Sequence, residues 1–226
     1  MSSSGLNLEE LFPLEERKII WKKSNIMFKT DMDTVLKFWR RFADPLRGTL
    51  LKAYNKYILI SHVEPYIIHV SDIVRYLIYG EVAEAVVTDE KKIRILARGI
   101  LYHYLFMRRF GGRVKAVYEF PITWCIDPFT IVGNVDILIP SDSGVYLIEL
   151  KSSSTENTVN FGVLQTKIYW CILEKLMGIS VIRGYVLTPK LTVEVDKPIT
   201  KRELKKLIKI YAKAIGKLEE LTTNEQ

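Results

Sequence analysis

Two short apolar runs constrain this chain more than anything else in it: Gly-Asn-Val-Asp-Ile-Leu-Ile-Pro at 133–140 and Gly-Val-Tyr-Leu-Ile-Glu-Leu-Lys at 144–151. Each is of strand length and rich in Val, Ile, Leu and Tyr. The Pro140-Ser-Asp-Ser-Gly144 link carries turn chemistry, so the pattern predicts a β-hairpin. Three polar residues, Asp136, Glu149 and Lys151, occupy positions where a strand ordinarily packs apolar side chains. Glu149 and Lys151 are two apart and share one face, while Ile148 and Leu150 turn to the other. Tight pairing brings Asp136 to the same polar face. Two neighbouring carboxylates repel unless a hard divalent cation lies between them. A lysine beside such an ion can orient or deprotonate a water, or offset charge on a phosphoryl group. The same residues also read as a plain Glu–Lys pair on an exposed strand face, with Asp136 ending a turn.

The elements around the hairpin follow from their own patterns. Thr88-Asp-Glu-Lys opens a helix predicted to run to about residue 109, acidic at its start and basic at Arg108 and Arg109, as the helix dipole prefers. On it, Gly99 and His103 lie one turn apart on one face, so Gly99 is expected to let another backbone approach the histidine. A lone histidine on an apolar helix is more often a satisfied core residue. Residues 114–124 alternate as a strand antiparallel to the Asp136 strand, with a turn at Asp127-Pro128. Glu119 on it reads either as an extra ligand or as a surface strand residue. After the hairpin comes a polar loop whose Ser152 and Ser153 suit phosphate contacts or ordinary loop chemistry. A helix over 159–177, closed by Gly178, puts Gln165 and Tyr169 on one face. Residues 181–188 read as a buried strand parallel to the Glu149 strand, because a helix-length crossover joins the two, and 191–195 as an edge strand.

Residues 1–65 read as an N-terminal accessory segment. Within it Asp31 is placed to cap a helix carrying the stripe Met32, Val35, Leu36, Trp39 and Phe42, read as core rather than as a partner-binding face, with a break at Pro45 and Gly48. Short strands are expected at 56–62 and 66–70, and Ser71 as N-cap of a helix over 72–79 ended by Gly80. The last helix is the clearest amphipath: Leu204, Leu207, Ile208, Tyr211, Ile215 and Leu218 recur at helical spacing, with Lys205, Lys209 and Lys213 off the stripe. Those lysines are either a solvated face or a track for phosphates.

With 226 residues, 48% of them hydrophobic, the chain is long enough for one domain with a sizeable core, alone or with an appendage. No apolar run approaches twenty residues, and the N-terminus lacks the basic and apolar regions of a signal peptide, so a cytoplasmic protein without a membrane partner is expected. A net charge of +7 favours a polyanionic partner. Cys125 and Cys171 are expected as free thiols. Lys, Glu, Ile and Tyr are plentiful and glutamines number two, a bias found in proteins from hot environments.

Asp136, about a dozen residues, then Glu149-x-Lys151 on hairpin strands resembles the PD-(D/E)xK nuclease core, and Gly133-x-x-Asp136 looks like its RecB/Cas4-like branch. Gly99-Ile-Leu-Tyr-His103 is similar to that branch's upstream helix, and Gln165-Thr-Lys-Ile-Tyr169 to its downstream Gln-x-x-x-Tyr helix. His69-Val-Ser-Asp-Ile-Val-Arg-Tyr-Leu77 resembles the opening motif of Cas4 proteins. The resemblance covers about residues 69 to 190 and stops short of the iron–sulfur clasp: Cas4 proteins hold a cluster on four cysteines, and two cannot build it, so no iron–sulfur cluster is expected.

The resemblance implies an α/β, restriction-endonuclease-like core at 66–226, a central mixed β-sheet flanked by helices, with a basic C-terminal helix. It implies Mg²⁺ or Mn²⁺ held by His103, Asp136, Glu149 and the Leu150 carbonyl, with Lys151 positioning the attacking water and Gln165 and Tyr169 orienting Lys151 or contacting the substrate. Nucleic-acid contacts fall to Ser152, Ser153, Lys205, Lys209 and Lys213. The expected activity is metal-dependent hydrolysis of DNA phosphodiester bonds by a Cas4/RecB-like exonuclease, single strands favoured. A structure-selective, junction-resolvase-like endonuclease and a non-catalytic nucleic-acid-binding protein on the same fold are the alternatives. DNA is the expected partner, and a homo-oligomer is left open.

Overall fold

The computed structural model describes residues 6–39, 41, 66–82, 89–126 and 129–216. In chain order these form α1 (Leu8–Leu11), α2 (Leu14–Ser24), a 3-10 turn (Asn25–Phe28), a helix α3 over 32–39, β1 (Tyr66–His69), α4 (Val70–Tyr79) and α5 (Glu90–Phe110). Then follow β2 (Val117–Ile126), β3 (Phe129–Ser141), β4 (Gly144–Leu150), α6 (Glu156–Leu176), β5 (Val181–Leu187), β6 (Thr192–Val195) and α7 (Lys201–Ala214). The fold is α/β, a six-stranded mixed sheet flanked by helices, consistent with a restriction-endonuclease-like core. No helix among the described residues is long and apolar enough to cross a membrane. Pro45, Gly48, the 56–62 strand, Phe42, Leu218 and the Asp127-Pro128 turn lie outside the described residues.

The hairpin forms: β3 and β4 pair antiparallel with Ile137 opposite Ile148 and Ser141 opposite Gly144. The crossover through α6 returns β5 parallel to β4, and β6 closes that side antiparallel. At 13 residues β3 is long enough for three partners. β2 follows one edge of β3 from Phe129 to Leu138. The other edge is shared, β1 running parallel along Phe129–Val132 and β4 antiparallel from Ile137 onward. Between them β3 has no strand neighbour on that edge among the described residues, so the sheet forks at 133–136. Pairwise patterning of apolar runs cannot reveal such a fork.

Helices close both faces. α4, α6 and α7 pack Val74, Ile172 and Ile208 onto Ile131, Val135, Leu138 and Leu147. On the opposite face α1, α2 and α5 pack Phe12, Ile20, Phe106 and Phe110 onto Ile137, Ile139, Ile148 and Leu187. The α3 stripe is core: Val35 is buried, and Met32, Leu36 and Trp39 pack with Ile93 and Ala97 of α5, while Asp31 accepts from the Thr34 amide at 2.9 Å. The N-terminal helices are tied down by Arg17 of α2. Its Nη1 donates to the Thr188 and Leu191 carbonyls at 2.9 Å each, and its Nη2 to Glu9 at 2.6 Å and Thr192 at 3.0 Å.

Some boundaries differ from expectation. α4 starts at Val70 with His69 at its N-cap and no side-chain cap, so Ser71 lies inside the first turn; Gly80 ends the helix in the left-handed region at φ 69°. α5 is capped by Asp89, which accepts from the Lys92 amide at 2.8 Å. β2 begins at Val117, because Val114 is claimed by the core behind α5.

Candidate metal and phosphate site

The β2–β3 register is unbroken except at one place, the unpaired step between Tyr118 opposite Ile137 and Phe120 opposite Val135. The residues there are Glu119 and Asp136. Glu119 has φ 52°, left-handed backbone that a β-branchless, non-glycine side chain adopts at a cost of about 1–2 kcal/mol. Side-chain alternation changes face at this step: Val135 packs in one core and Ile137, two residues on, in the other. Extending the β3–β4 register by one pair sets Glu149 opposite Asp136. Three carboxylates therefore form a row across adjacent strands, at the fork.

Side chains replace the ladder there. The Leu150 amide donates to Asp136 Oδ2 at 2.6 Å, and the Asp136 amide donates to Glu149 Oε1 at 3.4 Å. Lys151 Nζ donates to Glu149 Oε2 at 3.0 Å. His103 arrives from α5, its Nδ1 3.4 Å from Asp136 Oδ1 and its Nε2 3.1 Å from the Leu150 carbonyl oxygen. Candidate ligand atoms of His103, Glu119 and Asp136 lie within 4.8 Å of one another. The sequence reading put Glu149 in that set with Glu119 as an optional extra. In the structure Glu119 is the carboxylate grouped with His103 and Asp136, and Glu149 is engaged by Lys151 and a backbone amide.

Electrostatics follow from this crowding. Burial raises Asp136, but His103, Lys151 and the Leu150 amide outweigh it and hold the carboxyl below its ordinary range. Burial and then the Asp136 charge push Glu149 up to about 8, more than Lys151 offsets. The same two causes push Glu119 to about 7. Burial lowers His103 and Lys151, yet the carboxylates around each leave both pKa values raised. Lys151 is thus held as an ammonium, suited to orienting a water or an oxyanion rather than to taking a proton. Excess buried negative charge, in an oxygen-rich donor set with one imidazole and a carbonyl, matches a hard divalent cation such as Mg²⁺ or Mn²⁺.

The other sequence candidates fall at varying removes. Gln165 Nε2 donates to the Tyr169 hydroxyl at 3.0 Å, leaving Gln165 Oε1 buried without a partner. That hydroxyl abuts Gly133, where a Cβ would lie 2.7 Å away, on the edge of β3 that has no strand neighbour among the described residues. Gln165 and Tyr169 therefore fill the fork; neither bonds to Lys151. At Gly99 a Cβ would meet the Ser152 hydroxyl at 3.7 Å, an ordinary contact, so what stands there is a side chain and not the close backbone approach expected. Ser153 is tied to Thr155 at the entry to α6. Lys205, Lys209 and Lys213 line an exposed groove on α7 with Arg202, Lys206 and Ile210, and none of them bonds to the site. Glu119 carries no signal of its left-handed backbone in the sequence, since residues 114–124 alternate through it without a break.

No protein-family model matches the chain, and no curated protein matches it. Among solved structures the chain is similar to the crystal structure of SSO0001, with 19% sequence identity and a TM-score of 0.48 over 74% of this chain and 85% of that chain.

Proposed function

We propose that this protein is a divalent-metal-dependent deoxyribonuclease of the PD-(D/E)xK kind, RecB/Cas4-like, cutting single-stranded DNA from its ends in the cytoplasm. The observation that carries the reading is the convergence of His103, Glu119 and Asp136 beside the Leu150 carbonyl and the Lys151 ammonium. His103, Asp136 and Glu119, with the Leu150 carbonyl, would hold Mg²⁺ or Mn²⁺. Bound there, the ion would supply Lewis-acid activation of water and neutralise charge on the phosphate. Asp136 stays ionised through the Leu150 amide and His103. Glu149 fixes the Lys151 ammonium, whose remaining protons can hold the attacking water or a phosphate oxygen. Glu119, raised to about 7 by burial and by Asp136 when no ion offsets them, would be ionised by the cation it helps to hold.

The test uses Mn²⁺ with end-labelled linear and circular single-stranded DNA. Loss of the linear strand alone is expected; cutting of the circle would replace exonuclease with endonuclease. Lys151→Ala should lose at least about 100-fold in cleavage while keeping calorimetric Mn²⁺ binding, because it removes no ligand. Asp136→Ala should lose both. Undiminished cleavage by Lys151→Ala, or unchanged Mn²⁺ binding by Asp136→Ala, would move the assignment to a non-catalytic DNA-binding protein.

A further inference from the structure

Next to Lys151 stands an aromatic step that the metal site does not use, Phe161 at the margin of the core and Tyr79 beyond it. Lys151 Nζ sits 5.7 Å from the centroid of the Phe161 ring on α6. Phe161 lies 6.3 Å, centroid to centroid, from the ring of Tyr79 at the end of α4, the two planes inclined by 31°. Gly162 sets this spacing: a Cβ there would fall 2.7 Å from Val186 and 3.2 Å from Lys151 Cγ, so α6 closes directly on the strands and holds Phe161 in place. Tyr79 is 43% exposed, and its hydroxyl makes no hydrogen bond among the described residues. One turn earlier on the same side of α4 is Arg75, whose guanidinium is 3.6 Å from Asp72 and partly open to solvent.

We propose that Tyr79, backed by Phe161, is a stacking platform for an unpaired nucleobase of single-stranded DNA, with Arg75 taking the neighbouring phosphate; this rests on the nuclease reading of the Lys151 site. An exposed aromatic face beside a cation that faces the phosphate is the combination by which single strands are held without sequence preference. Duplex DNA cannot use it, since paired bases already cover one another's faces. The step therefore selects strands whose bases are free, and Phe161 couples that selection to the position of Lys151.

The experiment is binding in chelator by the full chain, using a short oligo(dT) with one 2-aminopurine, a strand of the same length built wholly of abasic sites, and a duplex. Tyr79→Ala should weaken single-strand binding roughly 5- to 50-fold and abolish 2-aminopurine quenching, while leaving duplex and abasic-strand affinity unchanged. Tyr79→Trp should retain both binding and quenching, which separates stacking from a folding defect. Unchanged single-strand affinity for Tyr79→Ala, or an equal loss on duplex and abasic strands, overturns the proposal. Wild-type cleavage in Mn²⁺ is measured alongside. Tyr79-dependent quenching without cleavage supports the platform and removes the catalytic reading; cleavage with Tyr79-independent binding does the reverse.

Discussion

Arg17 and the row Glu119, Asp136 and Glu149 both bury charge, and they do it by opposite means. Arg17 meets two backbone carbonyls, a hydroxyl and one exposed carboxylate, so its single positive charge is spread over four acceptors. The carboxylate row gathers like charges, offset among the described residues by His103 and Lys151, and two of its members are held far above their ordinary pKa values. The first arrangement balances its charge without any other molecule, though the Arg17 Nε stays buried without a partner among the described residues. The second is left short of positive charge, which is a reactive condition rather than a stabilising one.

The comparison breaks most easily at Arg17. Arg17→Met should lower unfolding free energy by about 3 kcal/mol, since the Thr188 and Leu191 carbonyls lose a charged donor, yet leave Mn²⁺ binding unchanged. Urea unfolding and calorimetry on one preparation check both halves. Equal losses in stability and metal affinity would mean that the clamp and the site are one unit.

Glu149→Gln should act in the opposite direction. A carboxyl whose folded pKa exceeds its unfolded value stabilises the fold while protonated, and that advantage disappears as pH climbs from the ordinary carboxylate range through about 8. Glu119 acts likewise up to about 7, whereas Asp136, held low, withdraws its contribution only as pH falls below that range. Metal-free wild type should therefore lose thermal stability between pH 5 and 8.5, at about 2–4 °C per kcal/mol for a chain of this size. Glu149→Gln should flatten that decline and melt higher than wild type at pH 8.5, with cleavage lost. A wild-type melting point that rises over the interval would contradict the carboxylate crowding.

A smaller effect separates the backbone of Glu119 from its charge. Glu119→Gly relieves left-handed strain and should exceed Glu119→Gln in stability by about 1 kcal/mol, though both weaken Mn²⁺ binding. The smallest concerns exposed charge. Lys209→Ala on α7 should not move the melting point, and should reduce the slope of log affinity for DNA against log salt by about 1 if that face tracks phosphates. An unchanged slope makes it a solvated face.

What could be seen in the sequence is what local pattern controls. The hairpin follows from two apolar runs and a turn, α5 from its acidic start and basic end, and α7 from a stripe in which Leu204, Ile208 and Tyr211 are buried. The shared face of Asp136, Glu149 and Lys151 follows from strand periodicity. The fork does not, because the pairing of β1 with β3 joins residues about sixty apart and leaves no local mark. Glu119 was misplaced for a related reason: its role depends on a single dihedral angle and on two strands that flank the next one. Gln165 and Tyr169 are expected to orient Lys151 or to contact the substrate; Gln165 donates to the Tyr169 hydroxyl, which abuts the bare Cα of Gly133, and neither bonds to Lys151, a placement that depends on a glycine two strands' worth of chain away.

β2 hydrogen-bonds to β3 alone among the described residues, so no described strand pairs with the other side of its ten residues. Such a side is a template on which another chain can extend the sheet. Pro121 lies opposite Asn134 and has no amide proton to donate to a ladder. Two residues earlier the left-handed Glu119 turns the strand out of plane. The irregularity that builds the carboxylate row thus also makes that side of β2 a poor template for a further strand.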